Sequence, residues 1–211
     1  MKKAVVLLTF FLFAISLYAQ NPALSVPKFK GVEITGTVDQ FGAKLASQGF
    51  KFIDKMENNA VYMGRFAGMD DCLILLFSVE NSKDIAAVLV LFGISISEYG
   101  TIHSYETWES LFGDYKRLKD LLAEKYGKPT DENESFSADA YTSSSYFKLH
   151  SVKEGQCQYY TKWGDDDVDK MTVKLAIGGG RSLGFDCATV VLGYTNVAKS
   201  EDSKKEVLDD L

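Results

Sequence analysis

The chain has little histidine, proline or cysteine, and it lacks a clustered basic run. Its 211 residues include two histidines, three prolines and three cysteines. Acidic residues outnumber basic ones by 29 to 23, and the net charge at pH 7 is −6. Nucleic acids and anionic membrane surfaces attract clusters of lysine and arginine. The acidic composition therefore makes this chain a poor candidate for binding either of them.

The scarcity of cysteine and histidine limits the active sites that the chain can build. A nucleophilic cysteine needs a nearby base, and nothing in the sequence places His103 or His150 beside a cysteine. The three cysteines, Cys72, Cys157 and Cys187, are an odd number, so at least one has no disulfide partner within the chain. In a simple meander Cys157 and Cys187 would lie about 9.5 Å apart, beyond the ~7 Å reach of a disulfide. We predict three buried thiols.

The candidate metal and phosphate motifs are incomplete. Asp165, Asp167 and Asp169 alternate like the opening of a calcium loop, but Ala176 stands where the loop needs a bidentate glutamate. Gly178–Gly180 follows a predicted strand but precedes neither a Lys-Ser/Thr pair nor a helix, so we expect a flexible turn. No carboxylate pair stands out as a glycosidase-type acid and base. We assign no metal, no cofactor and no catalytic residue.

The first 19 residues have the composition of a signal peptide. Lys2 and Lys3 precede an apolar run over residues 4–17, and Ala19 is a small residue at a potential cleavage site. The apolar run is shorter than the ~20 residues of a membrane-spanning helix. Removing residues 1–19 leaves 21 basic and 29 acidic side chains, a net charge of −8. We expect a periplasmic or secreted protein with no transmembrane segment after cleavage.

Two amphipathic helices are predicted, over Thr37–Gly49 and Thr107–Gly127. In the first helix Thr37 and Gln40 have the spacing of a capping box, and apolar residues recur at steps of three and four. The second helix has the same apolar spacing, and Pro129 follows the glycine that ends it.

One short strand, Phe29–Ile34, is predicted before the first helix. Four strands separated by polar turns follow each helix, and their close spacing favours antiparallel hairpins. They are Phe50–Met56, Ala60–Phe66, Cys72–Val79 and Ile85–Phe92 after the first helix, and Ser145–Val152, Cys157–Trp163, Met171–Ile177 and Ala188–Asn196 after the second. The order of one helix followed by four strands thus occurs twice. The predicted fold class is α+β, with two tandem repeats of a helix and a four-stranded antiparallel β-meander.

This reading divides the chain into five segments. They are the signal peptide (1–19), an extended leader (20–29), a first α+β repeat (30–96), a second α+β repeat (97–197) and a charged tail (198–211). The polar stretch Thr130–Asp139 has no counterpart in the first repeat. Whether the two repeats share one sheet is left open.

The first half of the chain contains the segments Phe29–Val32, Gly36–Thr37, Leu45 and Gly49–Phe50 and the aromatic-x-Gly-x-Phe signature of Tyr62–Phe66. These segments resemble those of a group of small exported proteins of unknown role from Bacteroides-like bacteria. The repeated helix-and-meander order is also similar to the tandem repeat of β-lactamase inhibitor proteins (a BLIP-like architecture) and of outer-membrane assembly lipoproteins. That resemblance implies a concave sheet face that binds a partner protein, and no individual residue carries over.

Alternation along the strands assigns side chains to two sheet faces. The second repeat has one polar face, whereas Leu73–Phe77 and Ala86–Leu91 in the first repeat are apolar on both faces. Two interpretations follow. Either these strands are central in a shared sheet and covered by the leader or by the link over residues 93–106, or they expose a patch that binds a partner or forms a homodimer.

The predicted function is a non-enzymatic exported binding or envelope-associated module whose partner is a protein or an envelope component. The predicted binding residues are Met63, Arg65, Gln158, Tyr160, Lys162 and Lys174, which alternation directs away from the helices. The alternative is a hydrolase of envelope or extracellular polymers that uses carboxylates the sequence does not identify.

Overall fold

The computed structural model describes residues 28–79, 82–96, 102–165, 171–179 and 187–197. Within them lie the helices α1 (Val38–Ser47), α2 (Trp108–Tyr126) and α3 (Ser145–Lys153). The strands are β1 (Lys28–Phe29), β2 (Val32–Glu33), β3 (Lys51–Met56), β4 (Asn59–Phe66), β5 (Met69–Ser78), β6 (Ile85–Phe92), β7 (Ser95–Ile96), β8 (Ile102–His103), β9 (Asp131–Asn133), β10 (Tyr160–Trp163), β11 (Met171–Gly179) and β12 (Ala188–Asn196). The predicted signal peptide, most of the leader and the charged tail lie outside the described residues.

The two predicted amphipathic helices are confirmed as α1 and α2, together with their caps. The Thr37 hydroxyl oxygen accepts from the Gln40 N–H at 3.2 Å, and the Gln40 side chain accepts from the Thr37 N–H at 3.1 Å. The Thr107 hydroxyl oxygen accepts from the Ser110 N–H at 3.2 Å and caps α2, and Gly127, with a φ of 80°, ends it. In the described part of the chain, no helix has both the length and the apolar character that a membrane crossing needs.

Eight strands form one antiparallel sheet, so the α+β class is confirmed and both halves of the chain share a sheet. The strand order is β3-β4-β5-β6-β12-β11-β10-β9. The central pair, β6 and β12, joins the two halves through the register from Val190–Phe92 to Thr195–Ala87. The edge strand β9 lies in the polar stretch Thr130–Asp139, for which no strand is predicted, and it pairs with β10.

The predicted strand over Ser145–Val152 is wrong, because this segment is the helix α3. The Ser144 hydroxyl oxygen accepts from the Phe147 N–H at 3.3 Å and caps the helix. Leu149 and Val152, three residues apart, are buried, whereas Phe147 is exposed. The exposed aromatic residues Tyr146 and Phe147 hide the helical spacing of apolar residues in this segment. Aromatic and β-branched residues are also frequent in strands, so the segment resembles one.

Three smaller predictions also need correction. Phe29–Ile34 is the tight hairpin β1–β2 rather than one strand, with Lys30 and Gly31 at positive φ. The strand predicted from Cys157 begins at Tyr160. Gly178 and Gly179 belong to β11 and are therefore not part of a flexible turn.

All three helices pack on one face of the sheet, which we call the inner face. Helix α1 contacts β3, β4 and β5, whereas α2 and α3 contact β11 and β12. Trp108 of α2 lies edge-on to Tyr159, with 5.6 Å between ring centroids. The buried hydroxyls of Tyr115 and Thr161 lie 2.9 Å apart and tie α2 to β10. The inner face therefore carries the main core.

The opposite, outer face carries a second apolar cluster. Leu73, Leu91, Ile94 and Cys187 are buried there, and Ile94, in the link after β6, is only 2% exposed. The start of the link, at Ile94, thus packs behind the central strands, as one of the two interpretations expected. Four half-buried side chains pack against this cluster: Val61, Met63, Leu75 and Val191.

Candidate functional site

The structure does not gather the six predicted binding residues into one site. Met63 lies on β4, whereas Tyr160 and Lys162 lie on β10. Five ladder steps separate β4 from β10, which corresponds to about 24 Å. Gln158 is exposed ahead of β10, and its N–H donates to the Ser135 carbonyl oxygen at 2.8 Å. Only the residues of β10 and β11 are close neighbours.

Arg65, two residues after Met63 on β4, also lies far from the residues of β10 and β11. A β-bulge interrupts the register between Gly64 and Phe66, and such a bulge changes the direction of the side chains around it. The Arg65 guanidinium pairs with the Asp70 carboxylate at 3.3 Å. It lines a cavity of about 320 Å³ together with Lys30.

Tyr160, Lys162 and Lys174 form a compact group with Asp131, which we call the lysine–tyrosine cluster. Lys162 and Lys174 are direct cross-strand partners. The Lys174 ammonium lies 4.7 Å from the centroid of the Tyr160 ring, a distance typical of a cation–π contact. The Tyr160 hydroxyl donates to the Asp131 carboxylate at 2.9 Å, and this hydrogen bond raises the pKa of Tyr160. The hydroxyl therefore stays protonated, and the cluster keeps two lysines beside one acid.

One row of outer-face positions connects this cluster to the aliphatic part of the face. In cross-strand register, the row consists of Val61, Leu75, Leu89, Gly193, Lys174 and Lys162. It is aliphatic on β4, β5 and β6 and basic on β11 and β10. Within the described residues, no helix covers this row, because the three helices pack on the inner face.

A second candidate site lies between α3 and the segment that leads into α2. This cavity, which we call the histidine cavity, has a volume of about 440 Å³. Its lining residues are His103, Ser104, Tyr105, Glu106, Tyr146, Leu149, His150 and Lys153. Both histidines of the chain thus line one cavity. The predicted strand over Ser145–Val152 does not bring them together, whereas the helix α3 does.

One wall of the histidine cavity, His103–Glu106, is attached to the sheet. The Tyr105 N–H donates to the Ala188 carbonyl oxygen, and the Ala188 N–H donates to the Ser104 hydroxyl oxygen, each at 3.2 Å. The Tyr105 hydroxyl donates to the Asp114 carboxylate at 2.7 Å. Burial, together with this hydrogen bond, raises the pKa of Tyr105. These bonds hold the wall against both β12 and α2.

The other wall is α3, which is anchored from below. Leu149 and Val152 are buried against the inner face. The Ser151 hydroxyl donates to the Tyr141 carbonyl oxygen at 3.0 Å and fixes the preceding loop. His150 and Lys153 occupy the last turn of the helix, at the cavity. Both walls are therefore fixed by backbone or core contacts.

Exposed aromatic residues extend from the cavity along α3. Tyr146 lines the cavity and is 75% exposed, and its ring lies edge-on to Phe147 at 5.5 Å between centroids. Phe147 is 41% exposed, and its centroid lies 6.2 Å from that of Tyr141, which is 71% exposed. Large aromatic side chains normally contribute most when they are buried. We call Tyr141, Tyr146 and Phe147 the aromatic patch.

The cysteines do not resemble catalytic nucleophiles. Burial raises the pKa of Cys72 and that of Cys157, each to about 11. Both are free thiols, and they are protonated near neutral pH, whereas the reactive species is the thiolate. The prediction of buried thiols is confirmed for Cys72 and Cys187, while Cys157 is half-buried.

No metal cluster occurs among the described residues, and the described lining of the histidine cavity has one acid. The described residues contain no cluster of three or more histidine, cysteine, aspartate or glutamate side chains placed to hold a metal ion. In the histidine cavity, the described lining includes one carboxylate, that of Glu106, whereas glycoside hydrolysis uses two. The alternative prediction of a hydrolase thus finds no pair of acids at this cavity.

Comparisons with family models, curated proteins and solved structures find no match for this chain.

Proposed function

We propose that this protein is an exported, non-enzymatic binding module whose partner protein docks on the outer face of the sheet. The observation that carries the proposal is the row from Val61 on β4 to Lys162 on β10. Half-buried aliphatic side chains stand beside a basic cluster, with the three helices on the opposite face. Contiguous apolar surface bordered by polar residues is typical of protein interaction sites.

The arrangement of charge specifies the kind of partner. The docking surface carries Lys162 and Lys174 on a chain whose net charge is −6. Tyr160 adds a ring and a hydroxyl held in place by Asp131, and tyrosine is frequent at the centre of interfaces. The complementary partner presents an apolar patch next to acidic side chains. Such charge matching chiefly raises the association rate and the specificity.

We also propose that the fold arose as a duplication, a BLIP-like tandem of helix and meander. The strands β3-β4-β5-β6 follow one another inward from one edge of the sheet, and β9-β10-β11-β12 follow one another inward from the other. A capped helix precedes each set, and α3 is an insertion between β9 and β10. This symmetric order supports the tandem arrangement and the resemblance to a partner-binding sheet. Export would follow cleavage after Ala19, and N-terminal sequencing of the mature protein should then begin at Gln20.

The docking proposal is tested by site-specific photo-crosslinking in an envelope extract. A photoreactive phenylalanine analogue replaces Leu89 on the outer face, and in a matched control it replaces Leu121 of α2, which is 46% exposed. We expect a discrete protein adduct from position 89 and none from position 121. Lys174→Glu should reduce the adduct several-fold, whereas the same reversal at exposed Lys116 of α2 should leave it unchanged. Equal adducts from positions 89 and 121, or no adduct from either, contradict the proposal.

A second copy of the chain is the competing occupant of the outer face. Sedimentation velocity at micromolar concentrations distinguishes the two cases, because a homodimer would double the sedimenting mass without any extract. We expect a monomer in this measurement. A dimer that Lys174→Glu or Leu89→Asp dissociates would replace the partner-protein proposal with self-association.

A further inference from the structure

We propose that the histidine cavity binds an anionic sugar, with its basic side chains on the carboxylate and the aromatic patch stacked on the sugar ring. This proposal concerns a different surface from the outer face and does not depend on it. Three observations carry it: the convergence of basic side chains, the dimensions of the cavity, and the exposed aromatic patch beside it.

Basic groups outnumber acidic ones in the cavity. His103, His150 and Lys153 converge there with a single carboxylate, that of Glu106. Among the described residues, none of these four side chains makes an ion pair or a side-chain hydrogen bond. Imidazole and ammonium groups donate hydrogen bonds to carboxylates. A ligand carboxylate can therefore accept hydrogen bonds from His103, His150 and Lys153. Glu106 can accept from hydroxyl groups on a neutral part of the same ligand.

The cavity has the dimensions of a small-molecule site. Its volume of about 440 Å³ falls within the range of roughly 300–1,000 Å³ that ligand pockets occupy. Leu149 supplies an apolar floor, and Ser104 uses its oxygen as an acceptor for Ala188 while its hydroxyl proton remains able to donate to a ligand. Because both walls are fixed to the core, the site is largely preformed, which lowers the entropic cost of binding.

The aromatic patch distinguishes a sugar from a simple anion. Inorganic phosphate or acetate would use the basic groups alone and would leave Tyr146, Phe147 and Tyr141 without a role. A pyranose has an apolar face of C–H groups, and the flat rings of exposed aromatic residues present a matching surface with few rotatable bonds. Tyr146 belongs to both the cavity and the patch, so one ligand can contact both.

The experiment is an NMR titration of the full mature chain labelled with ¹³C-histidine. Because the chain contains two histidines, their two imidazole signals are assigned directly with His103→Asn and His150→Asn. The titrants are D-glucuronate, a short oligosaccharide that contains uronic acid, methyl glucoside and inorganic phosphate. We expect glucuronate or the oligosaccharide to shift both imidazole signals saturably. The dissociation constant from these shifts should be at least tenfold lower than that for methyl glucoside or phosphate. A preference for the oligosaccharide identifies a polymer as the source of the ligand, and equal binding identifies the free sugar.

Variants separate the two halves of the site. Lys153→Gln should weaken glucuronate binding at least fivefold, and Lys153→Arg should restore most of it. Tyr146→Ala should weaken glucuronate binding without changing the weak response to phosphate. Lys128→Gln is the matched control, since Lys128 lies just beyond the far end of the 19-residue helix α2, about 28 Å along its axis. The absence of saturable shifts, or equal affinities for phosphate and glucuronate, would overturn the proposal.

Discussion

Gly179 shows how closely α3 approaches the sheet. A Cβ atom at this position would collide with the Val152 carbonyl oxygen and with the Val152 side chain. Because the carbonyl belongs to a helix backbone, it cannot move aside as the end of a side chain could. We expect Gly179→Ala to lower the free energy of unfolding by about 2 kcal/mol, a magnitude typical of overpacking. Urea unfolding followed by circular dichroism measures the change.

Gly113 is the matched control because it lies in the middle of α2 with open space around it. Apart from the adjacent residues and the backbone of the helix itself, no atom lies within 4 Å of a Cβ built there, and alanine favours a helix over glycine by roughly 0.5–1 kcal/mol. Gly113→Ala should therefore raise the free energy of unfolding by that amount. If both substitutions shift stability in the same direction, the close approach of α3 to β11 is not the cause.

At the residue scale, the sequence supported predictions of local contacts and failed for contacts between distant segments. Thr37 and Gln40 were identified as a capping box because the two residues interact across one helical turn. The close approach of Gly179 to Val152 depends on how α3 packs, and no local pattern encodes it. The sequence does not predict that His103 and His150 line the same cavity, for the same reason.

At the element scale, Lys119 fastens the edge strand β9 to α2. Its ammonium contacts Glu132 at 2.9 Å and Glu134 at 2.6 Å. Burial lowers the pKa of Lys119, but the hydrogen bonds to Glu134 and Glu132 outweigh it and raise the pKa overall. Lys119→Met should lower the free energy of unfolding by about 1 kcal/mol, within the range for a partly exposed charged network. Lys116→Met, on the same helix, should change it by less than about 0.5 kcal/mol.

The pH dependence of this contribution follows from the raised pKa of Lys119. A group whose pKa is higher in the folded state stabilises the fold fully below its unfolded-state pKa, here 10.5. The stability difference between the native chain and Lys119→Met should therefore stay constant from about pH 7 to pH 9 and shrink only above pH 10.5. A difference that shrinks between pH 7 and pH 9 would show that another group titrates at this contact.

Elements with a strong local sequence signal were predictable, and elements without one were not. The bounds of β6 and β12 match the prediction, because a mostly apolar run of eight or nine residues between turns is typical of a buried strand. In α3, exposed Tyr146 and Phe147 obscured the helical face. In β9, three polar residues form a strand only because β10 offers a free edge. Alternation along the strands predicts that Tyr160, Lys162 and Lys174 of the lysine–tyrosine cluster lie on the outer face. The distance of Met63 from this cluster depends on the strand order, which alternation does not predict.

At the scale of the whole molecule, the two halves are joined through more than the β6–β12 ladder. Phe29 lies edge-on to Tyr194, with 5.6 Å between ring centroids. Arg117 of α2 donates to the Ala67 carbonyl oxygen at 3.0 Å. The central strands are apolar on both faces because they serve both halves at once. In the shared sheet, β6 of the first half and β12 of the second half are hydrogen-bonded neighbours. Neither half should therefore retain its fold when the other unfolds.

This coupling predicts that a destabilising substitution in one half lowers the unfolding midpoint of both halves. Ile74, on β5, is fully buried, and Ile74→Ala should cost about 2–4 kcal/mol. Both tryptophans, Trp108 and Trp163, lie in the second half, so their fluorescence reports unfolding there. We expect Ile74→Ala to shift the urea midpoint of tryptophan fluorescence and of circular dichroism equally, as Val173→Ala in the second half should. An unchanged fluorescence midpoint, beside an earlier transition in circular dichroism, would show instead that the halves unfold independently despite the shared sheet.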